Sequence, residues 1–497
     1  MHNEVALKQV HLAQLSERVS VPSYDRQGLK TGIVHIGVGG FHRAHQAYYT
    51  HILQENFSIE AWGICGVGLR EGDRKIKDVL EKQDHLFTLL IRHPNGEIET
   101  EVIGSLVDFI LSFDDPNGVI EKMAQPDTKI VSLTITEGGY NFDTTTGEFD
   151  FSNPDVQHEL KNPNEPRTVY GYLSAALRKR RDARLPAFTI MSCDNIEHNG
   201  DMTRKMLLSF MNKQDKVLAA WIKKEVSFPN TMVDRITPVT TQADIDYLKN
   251  THGILDSWPV TCEPFIQWVI EDKFSNGRPD FEQVGVQFVA DVAPYEKMKL
   301  RLLNAGHSVL GILGAIHGHK TINACMENKT FATFMRGFLD AEASPVLDEV
   351  AGINLTAYKD SLETRFANPN IKDSVSRICS ESAAKLPKFL IPTLKENLAN
   401  SGEIEYATLV IAAWCYYCDK AVDRNEKPIE IIDAQKEELH NAAKNTPIDV
   451  LSFIRLESIF GNLFENSRFT EKYSELVLKI YRNPNISGYM TEIISNH

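Results

Sequence analysis

Gly32-Ile33-Val34-His35-Ile36-Gly37-Val38-Gly39-Gly40-Phe41-His42-Arg43-Ala44-His45 is the stretch whose reading decides the fold. Residues 32–36 predict a short buried strand, 37–45 a turn and 46–54 a helix. A strand that runs into a glycine turn opening a helix is how a dinucleotide fold presents backbone N–H groups to a pyrophosphate. Gly37 and Gly39 form the GxG pair, and His42 stands where the third glycine of GxGxxG would be. A GxG alone is weak evidence, so the flanking sequence has to supply the context.

That context follows at once. Residues 62–67 read as a second buried strand, ending in Gly68-Leu69-Arg70-Glu71-Gly72-Asp73. An acidic residue just past the second strand accepts from ribose hydroxyls and repels a 2′-phosphate, so Glu71 or Asp73 favours NAD. Arg70 and Arg74 leave NADP open. Residues 129–136 form a third apolar run ending at Glu137-Gly138-Gly139-Tyr140, and 187–192 another ending at Cys193-Asp194-Asn195. Helical patterns at 119–123 and 169–181 lie between them. Apolar strands alternating with helices predict an α/β, doubly wound parallel sheet of Rossmann type, with ligands off the carboxyl ends of the strands. Residues 141–168 read as a loop. Beyond about residue 200 helical patterns prevail, with 230–238 a polar loop and 262–272 a strand. The domains are expected as 1–290, dinucleotide-binding, and 291–497, mainly helical, with helices at 307–326, 330–350, 354–366, 371–385, 389–399 and 405–423.

The second informative stretch, residues 291–311, reads DVAPYEKMKLRLLNAGHSVLG, with Pro294 suited to a first helical turn. On an ideal wheel with Lys299 at zero, Glu296 lies near about 60°, His307 near about 80° and Asn304 near about 140°. A carboxylate, an amine, an imidazole and a carboxamide set among Leu300 and Leu303 predict a pocket lining rather than a solvent face.

Bulk properties narrow the function class. The chain has 497 residues, a formal net charge of −14 and 42% hydrophobic content, which describes a globular protein with ample core. Its average field attracts neither nucleic acid nor anionic lipid. Seven scattered cysteines, the absence of a signal-like N-terminus and of any bilayer-length apolar run predict a cytoplasmic protein. A monomer is the expectation. Cys415 and Cys418 read as buried thiols, and His317-Gly318-His319 as packing, so no metal site is expected.

The chain resembles the polyol-specific long-chain dehydrogenase and reductase family. The resemblance rests on Gly37-x-Gly39-x-Phe41-x-Arg43-x-His45, Ser192-Cys-Asp-Asn195, Val233-Asp-Arg-Ile-Thr-Pro238 and Lys299-x4-Asn304-x2-His307, in consistent order over nearly the whole chain. It implies a zinc-independent, NAD(P)-dependent oxidoreductase with a Rossmann-type and a helical domain. The expected reaction interconverts a polyol and a 2-ketose, D-mannitol and D-fructose foremost. A hexuronate reductase acting on fructuronate or tagaturonate is the alternative. It further implies Lys299 as base, Asn195 and Asn304 as the oxyanion pair, and Glu296 as the proton exit. Asp234, His307, Arg377 and Lys385 are implied as substrate contacts.

The chemistry is coherent with those residue types. Oxidising a secondary alcohol without metal needs a group to take the hydroxyl proton and donors to hold the developing alkoxide. A lysine serves as base only when neutral, which desolvation or a nearby cation promotes. Asparagine carboxamides offer N–H donors to the oxygen. Asp234 and Arg377 are expected to pair and clamp vicinal hydroxyls, or to form a structural ion pair. Arg43 and His45 are expected to face cofactor phosphates beside Gly37, Val38, Gly39, Gly40, Phe41 and His42. A Schiff-base lysine enzyme and a passive NAD-binding module are the rivals from other classes.

Overall fold

The computed structural model describes residues 3–143 and 146–496; Thr144 and Thr145, in the loop expected at 141–168, lie outside them. The chain divides into two compact units. One comprises residues up to Ala293 except Pro94–Gly96, the other Pro94–Gly96 and the chain from Pro294 onward.

The first unit is organised on five strands, β1 (Thr31–Ile36), β2 (Gly63–Gly68), β3 (Leu106–Leu111), β4 (Ile130–Leu133) and β5 (Thr189–Ser192). Their order is β3-β2-β1-β4-β5, with every neighbouring pair parallel. Parallel neighbours need crossovers, which helices such as Gln46–Phe57, Pro116–Ala124 and Val169–Asp182 supply. Both faces of the sheet are covered. Val34, Ile36 and Val131 enter one apolar cluster, Ile33 and Ile130 the other. Each of these side chains is fully buried, and each such burial contributes roughly 1.5–3 kcal/mol. The strand order reverses at β1, so the crevice for a ligand lies at its carboxyl end, beside β4.

Several strands depart from the sequence reading, Phe87–Arg92 and Ile98–Ile103 among them, and two of the departures bear on the sheet and the site. Leu106–Leu111 was not expected because Asp108 interrupts its apolar run. At the sheet edge that carboxylate meets Lys122 Nζ at 2.7 Å, which satisfies it. The polar loop expected at 230–238 is corrected. Thr231–Asp234 is a wholly buried strand, antiparallel to Gln267–Glu271 with Asp234 opposite Gln267. The pairing strand Gln267–Glu271 falls inside the strand expected at 262–272 and also pairs with Gln287–Val289.

The second unit is helical. Ala305–His317 is buried at every position, and Glu405–Lys420 from Tyr406 to Cys418; helices apolar all round belong in a core. Cys415 and Cys418 are free, buried thiols. Three of the long helices expected from periodicity are broken. Gly318 ends one at φ 97, a π turn over Leu339–Ala343 ends the second after Phe338, and Glu381 at φ 51 splits the third.

The break at Leu339–Ala343 places Glu342 in the core, where its carboxylate accepts from Tyr406 N at 2.6 Å and Ala407 N at 2.9 Å. Those N–H groups belong to the first turn of Glu405–Lys420, which has no intrahelical acceptor for them. Burial raises the Glu342 carboxyl from 4.5 to about 8, the two N–H bonds opposing it. A raised folded-state pKa means the native state holds an extra proton. Its stabilising contribution is present below pH 4.5 and is lost as pH rises through about 8. Glu342→Ala is expected to lower stability near pH 6 by about 2 kcal/mol and to flatten that pH dependence. Urea titrations from acid to alkaline pH measure both.

Candidate active site

In the first unit, β1 ends at Gly37, whose φ of 96 lies in the left-handed region. A Cβ there would sit 2.1 Å from the Thr134 carbonyl oxygen, so only glycine fits. Gly39 and Gly40 differ, since a Cβ on them would meet nothing nearer than 3.9 and 3.7 Å. Packing does not demand glycine at these two positions, and the space above them suits a ligand that must approach the backbone. This is the fit a pyrophosphate needs.

The helix opens earlier than expected, as Gly40–Ala44, then breaks at His45 before Gln46–Phe57. Phe41, His42 and Arg43 therefore belong to a helical turn, and this corrects the role expected of the Arg43 and His45 side chains. Arg43 is 1% exposed, donates to the Trp258 carbonyl at 2.5 Å and lies over the Phe87 ring. His45 is fully buried, within hydrogen-bond distance of the Gln267 carbonyl at 2.9 Å and edge-on to Trp268. His42 is stacked face-to-face on His35 at 3.5 Å. These side chains point into the core because a short helical turn presents one face to the sheet. What this segment offers a ligand is its backbone.

Past β2, Asp73 packs against Gly68 and accepts from Arg70 N at 3.0 Å. Glu71 pairs with Arg74 at 2.9 Å, and Arg74 also grips Asp114 through two bonds of 2.8 and 3.1 Å. Arg74 is thereby committed to carboxylates, which favours a ribose hydroxyl over a 2′-phosphate at this end.

Asn195 is exposed, three residues past the end of β5. Its neighbour Asp194 is buried and accepts from Ile135 N, Thr136 N and Tyr140 Oη at 2.9, 3.0 and 2.8 Å. Burial raises the Asp194 carboxyl, while those donors oppose the rise. Thr136, a β-branched residue, is held at φ 60, a conformation that persists only where its surroundings impose it. Asp234 is buried at the end of its strand.

In the second unit Glu296 and Lys299 are each 6% exposed and lie one turn apart on Ala293–Lys299. The expected uninterrupted α-helix is corrected here. Leu300–Asn304 is a π turn, with Ala305 N bonded to the Leu300 carbonyl, and the α-helix resumes at Ala305. One extra residue in the turn sets every later position back by about 100°. His307 moves from about 80° to about 20° from the Lys299 azimuth, and Asn304 from about 140° to about 40°. The π turn gathers groups that a regular helix would spread. Asn304 Oδ1 is buried with no hydrogen-bond partner.

His307 packs on Phe366, with ring centroids 4.2 Å apart, and its Nε2 lies 3.9 Å from Asp373 Oδ2. Asp373 is also the partner of Arg377, through bonds of 2.7 and 2.5 Å. Within its own unit Arg377 thus carries an i,i+4 ion pair. Lys385 Nζ reaches the carbonyls of Arg377 and Ile378 at 3.3 and 3.2 Å, and burial followed by Arg377 lowers its pKa. Asp373, which joins His307 to Arg377, was missed. Its i,i+4 spacing to Arg377 was the available signal. The His317 and His319 rings stack on each other and pack edge-on to Phe331. Among the described residues no group of three His, Cys, Asp or Glu could hold a metal ion, and no helix is long and apolar enough to cross a membrane.

The family description "Mannitol dehydrogenase Rossmann domain" matches residues 31–283, and "Mannitol dehydrogenase C-terminal domain" matches 291–481. The chain belongs to the mannitol dehydrogenase family. Mannitol 2-dehydrogenase of Neosartorya fischeri is 45% identical over 472 residues, 94% of each chain. That of Pyricularia oryzae is 42% identical over 480 residues, 95% of each. Among solved structures, Pseudomonas fluorescens mannitol 2-dehydrogenase, in a ternary complex with NAD and D-mannitol, superposes with a TM-score of 0.90. It shares 44% identity, covering 99% of this chain and 100% of that one. A substrate-free D-sorbitol dehydrogenase gives a TM-score of 0.90 at 35% identity, covering 98% and 100%. The mannitol dehydrogenase family is thus matched over both the sheet unit and the helical unit.

Proposed function

We propose that this chain is an NAD-dependent secondary-alcohol dehydrogenase interconverting a polyol and a 2-ketose, with D-mannitol and D-fructose the foremost pair. The observation that carries the reading is the buried Lys299 beside a π turn that swings Asn304 and His307 toward it. The relatives named mannitol 2-dehydrogenase, one of them solved with NAD and D-mannitol, support the same reading.

The backbone of Gly37, Val38, Gly39, Gly40 and Phe41 would hold the pyrophosphate, and Asp73 with Glu71 the adenosine ribose. NAD, when bound, supplies the hydride acceptor. Lys299, kept neutral by desolvation, takes the hydroxyl proton during oxidation and returns it during reduction. Glu296, one turn away and also buried, passes that proton toward water. Asn195 and Asn304 donate N–H bonds to the oxygen as it gains negative charge. Asp234, His307, Arg377 and Lys385 hold the remaining hydroxyls.

The alternative, a hexuronate reductase, needs a cation to receive the substrate carboxylate. Arg377 already carries Asp373 in a bidentate pair, which offsets the positive charge a hexuronate would seek there. Neutral hydroxyls, which accept and donate, do not depend on that charge. Oxidation of NADH with D-fructose is therefore expected to exceed that with D-fructuronate by at least about 100-fold in kcat/KM, since each 1.4 kcal/mol is tenfold. Equal or reversed rates would overturn the polyol assignment. No turnover of any polyol or ketose, with NADH binding intact, would favour a passive nucleotide-binding module.

A further inference from the structure

β1 carries one polar side chain into the core, His35, which is fully buried opposite Ser132 of β4. Its Nδ1 lies 2.8 Å from Ser132 Oγ, and its Nε2 lies 2.9 Å from Thr134 Oγ1. Thr134 Oγ1 donates to the Gly37 carbonyl at 2.7 Å. Ser132 Oγ lies 2.8 Å from the side-chain amide of Gln46, whose other polar atom is buried without a partner.

The direction of this chain of bonds follows from one end. A carbonyl oxygen only accepts, so the single Thr134 hydroxyl proton is committed to Gly37. Thr134 Oγ1 must then accept from His35 Nε2–H. Burial pushes the His35 imidazole down to about 3, so the ring is neutral and has only one N–H. Its Nδ1 therefore accepts, and Ser132 donates to it. Ser132 Oγ in turn has only acceptor capacity left for Gln46, which must present its NH2 group. That orientation replaces a buried orphan donor with an orphan acceptor, the less costly of the two. His42, stacked on the His35 ring at 3.5 Å with neither of its nitrogens bonded, shields the ring from water without offering a competing partner.

We infer that His35 is a positioning residue for the dinucleotide, acting through Thr134 to fix the peptide plane between Gly37 and Val38. The two groups of a trans peptide point in opposite directions. Pinning the Gly37 carbonyl to Thr134 therefore aims Val38 N–H to the other side of the turn, into the space left open above Gly39 and Gly40. The inference rests on the dinucleotide reading of this turn, and its test separates the two.

Calorimetric titration with NADH compares the wild type, Thr134→Val and Thr134→Ser. The valine variant keeps the shape and removes the hydroxyl. It is expected to weaken binding about tenfold or more, with kcat at saturating NADH within about twofold of wild type. Serine, which restores the donor, is expected to recover most of the affinity. Undiminished affinity in the valine variant, or no recovery with serine, overturns the inference. A loss that falls wholly on kcat does the same. Independently of any cofactor, 15N spectroscopy of histidine-labelled protein, with the His35 signal identified by its loss in His35→Gln, is expected to show a neutral ring protonated at Nε2. The Nδ1–H tautomer or an imidazolium overturns it, even if the valine variant does not fold. Failure of the wild type to bind NADH would refute the functional reading alone, leaving the tautomer to decide the relay.

Discussion

Replacing Lys299 by alanine is expected to lower kcat in both directions by about 10³- to 10⁴-fold while NADH affinity changes little, the upper range for loss of a general acid–base group. The argument begins with burial. At 6% exposure the residue is buried, the setting that the proposed general-base role requires of a lysine. Deleting it leaves on that helical face Glu296 and the His307 imidazole, both weaker bases than a neutral amine. Added primary amines such as methylamine are expected to restore part of the lost rate, in proportion to their basicity. Steady-state kinetics with D-fructose and D-mannitol, with and without added amine, measure this. Turnover within tenfold of wild type would remove Lys299 from the mechanism.

The second large effect belongs to the carboxamides. Asn304→Ala and Asn195→Ala are each expected to lower kcat by about 10²- to 10³-fold, the loss typical of one preorganised donor to an oxyanion. KM for the ketose is expected to change less, because the donors act most strongly when the oxygen carries charge. Asn304→Asp keeps the shape and puts a carboxylate where a donor is needed, so it is expected to be at least as slow as the alanine variant. The buried, unpartnered Asn304 Oδ1 shows that this side chain is not held in place by protein hydrogen bonds at that atom. A loss confined to KM, or an aspartate variant near wild-type rate, would assign Asn304 to packing.

Much of the molecule was legible in local sequence because the relevant physics is local. The run from Gly32 to Gly40 announces a strand and a tight turn, since apolar side chains and glycine each constrain the backbone where they stand. Apolar runs at β2, β4 and β5 imply a sheet covered on both faces, hence parallel pairing. The co-location of Glu296, Lys299, Asn304 and His307 on one helical stretch could also be read from spacing. Their alignment could not. The residues on either side of Leu300–Asn304 keep ordinary helical periodicity, and the inserted residue of the π turn leaves no mark in composition.

What sequence left open depends on residues distant along the chain. Asp108 breaks an apolar run and hides β3, and at the sheet edge Lys122 meets that half-exposed carboxylate. Thr231–Asp234 becomes a strand because Gln267–Glu271 runs beside it. Arg43 and His45 look like phosphate ligands until the carbonyls of Trp258 and Gln267 are seen to hold them inward. His35 finds Ser132 and Thr134 nearly a hundred residues further along the chain. A side chain's partner is set by the packing of whole elements, and chain-local patterns carry no record of it.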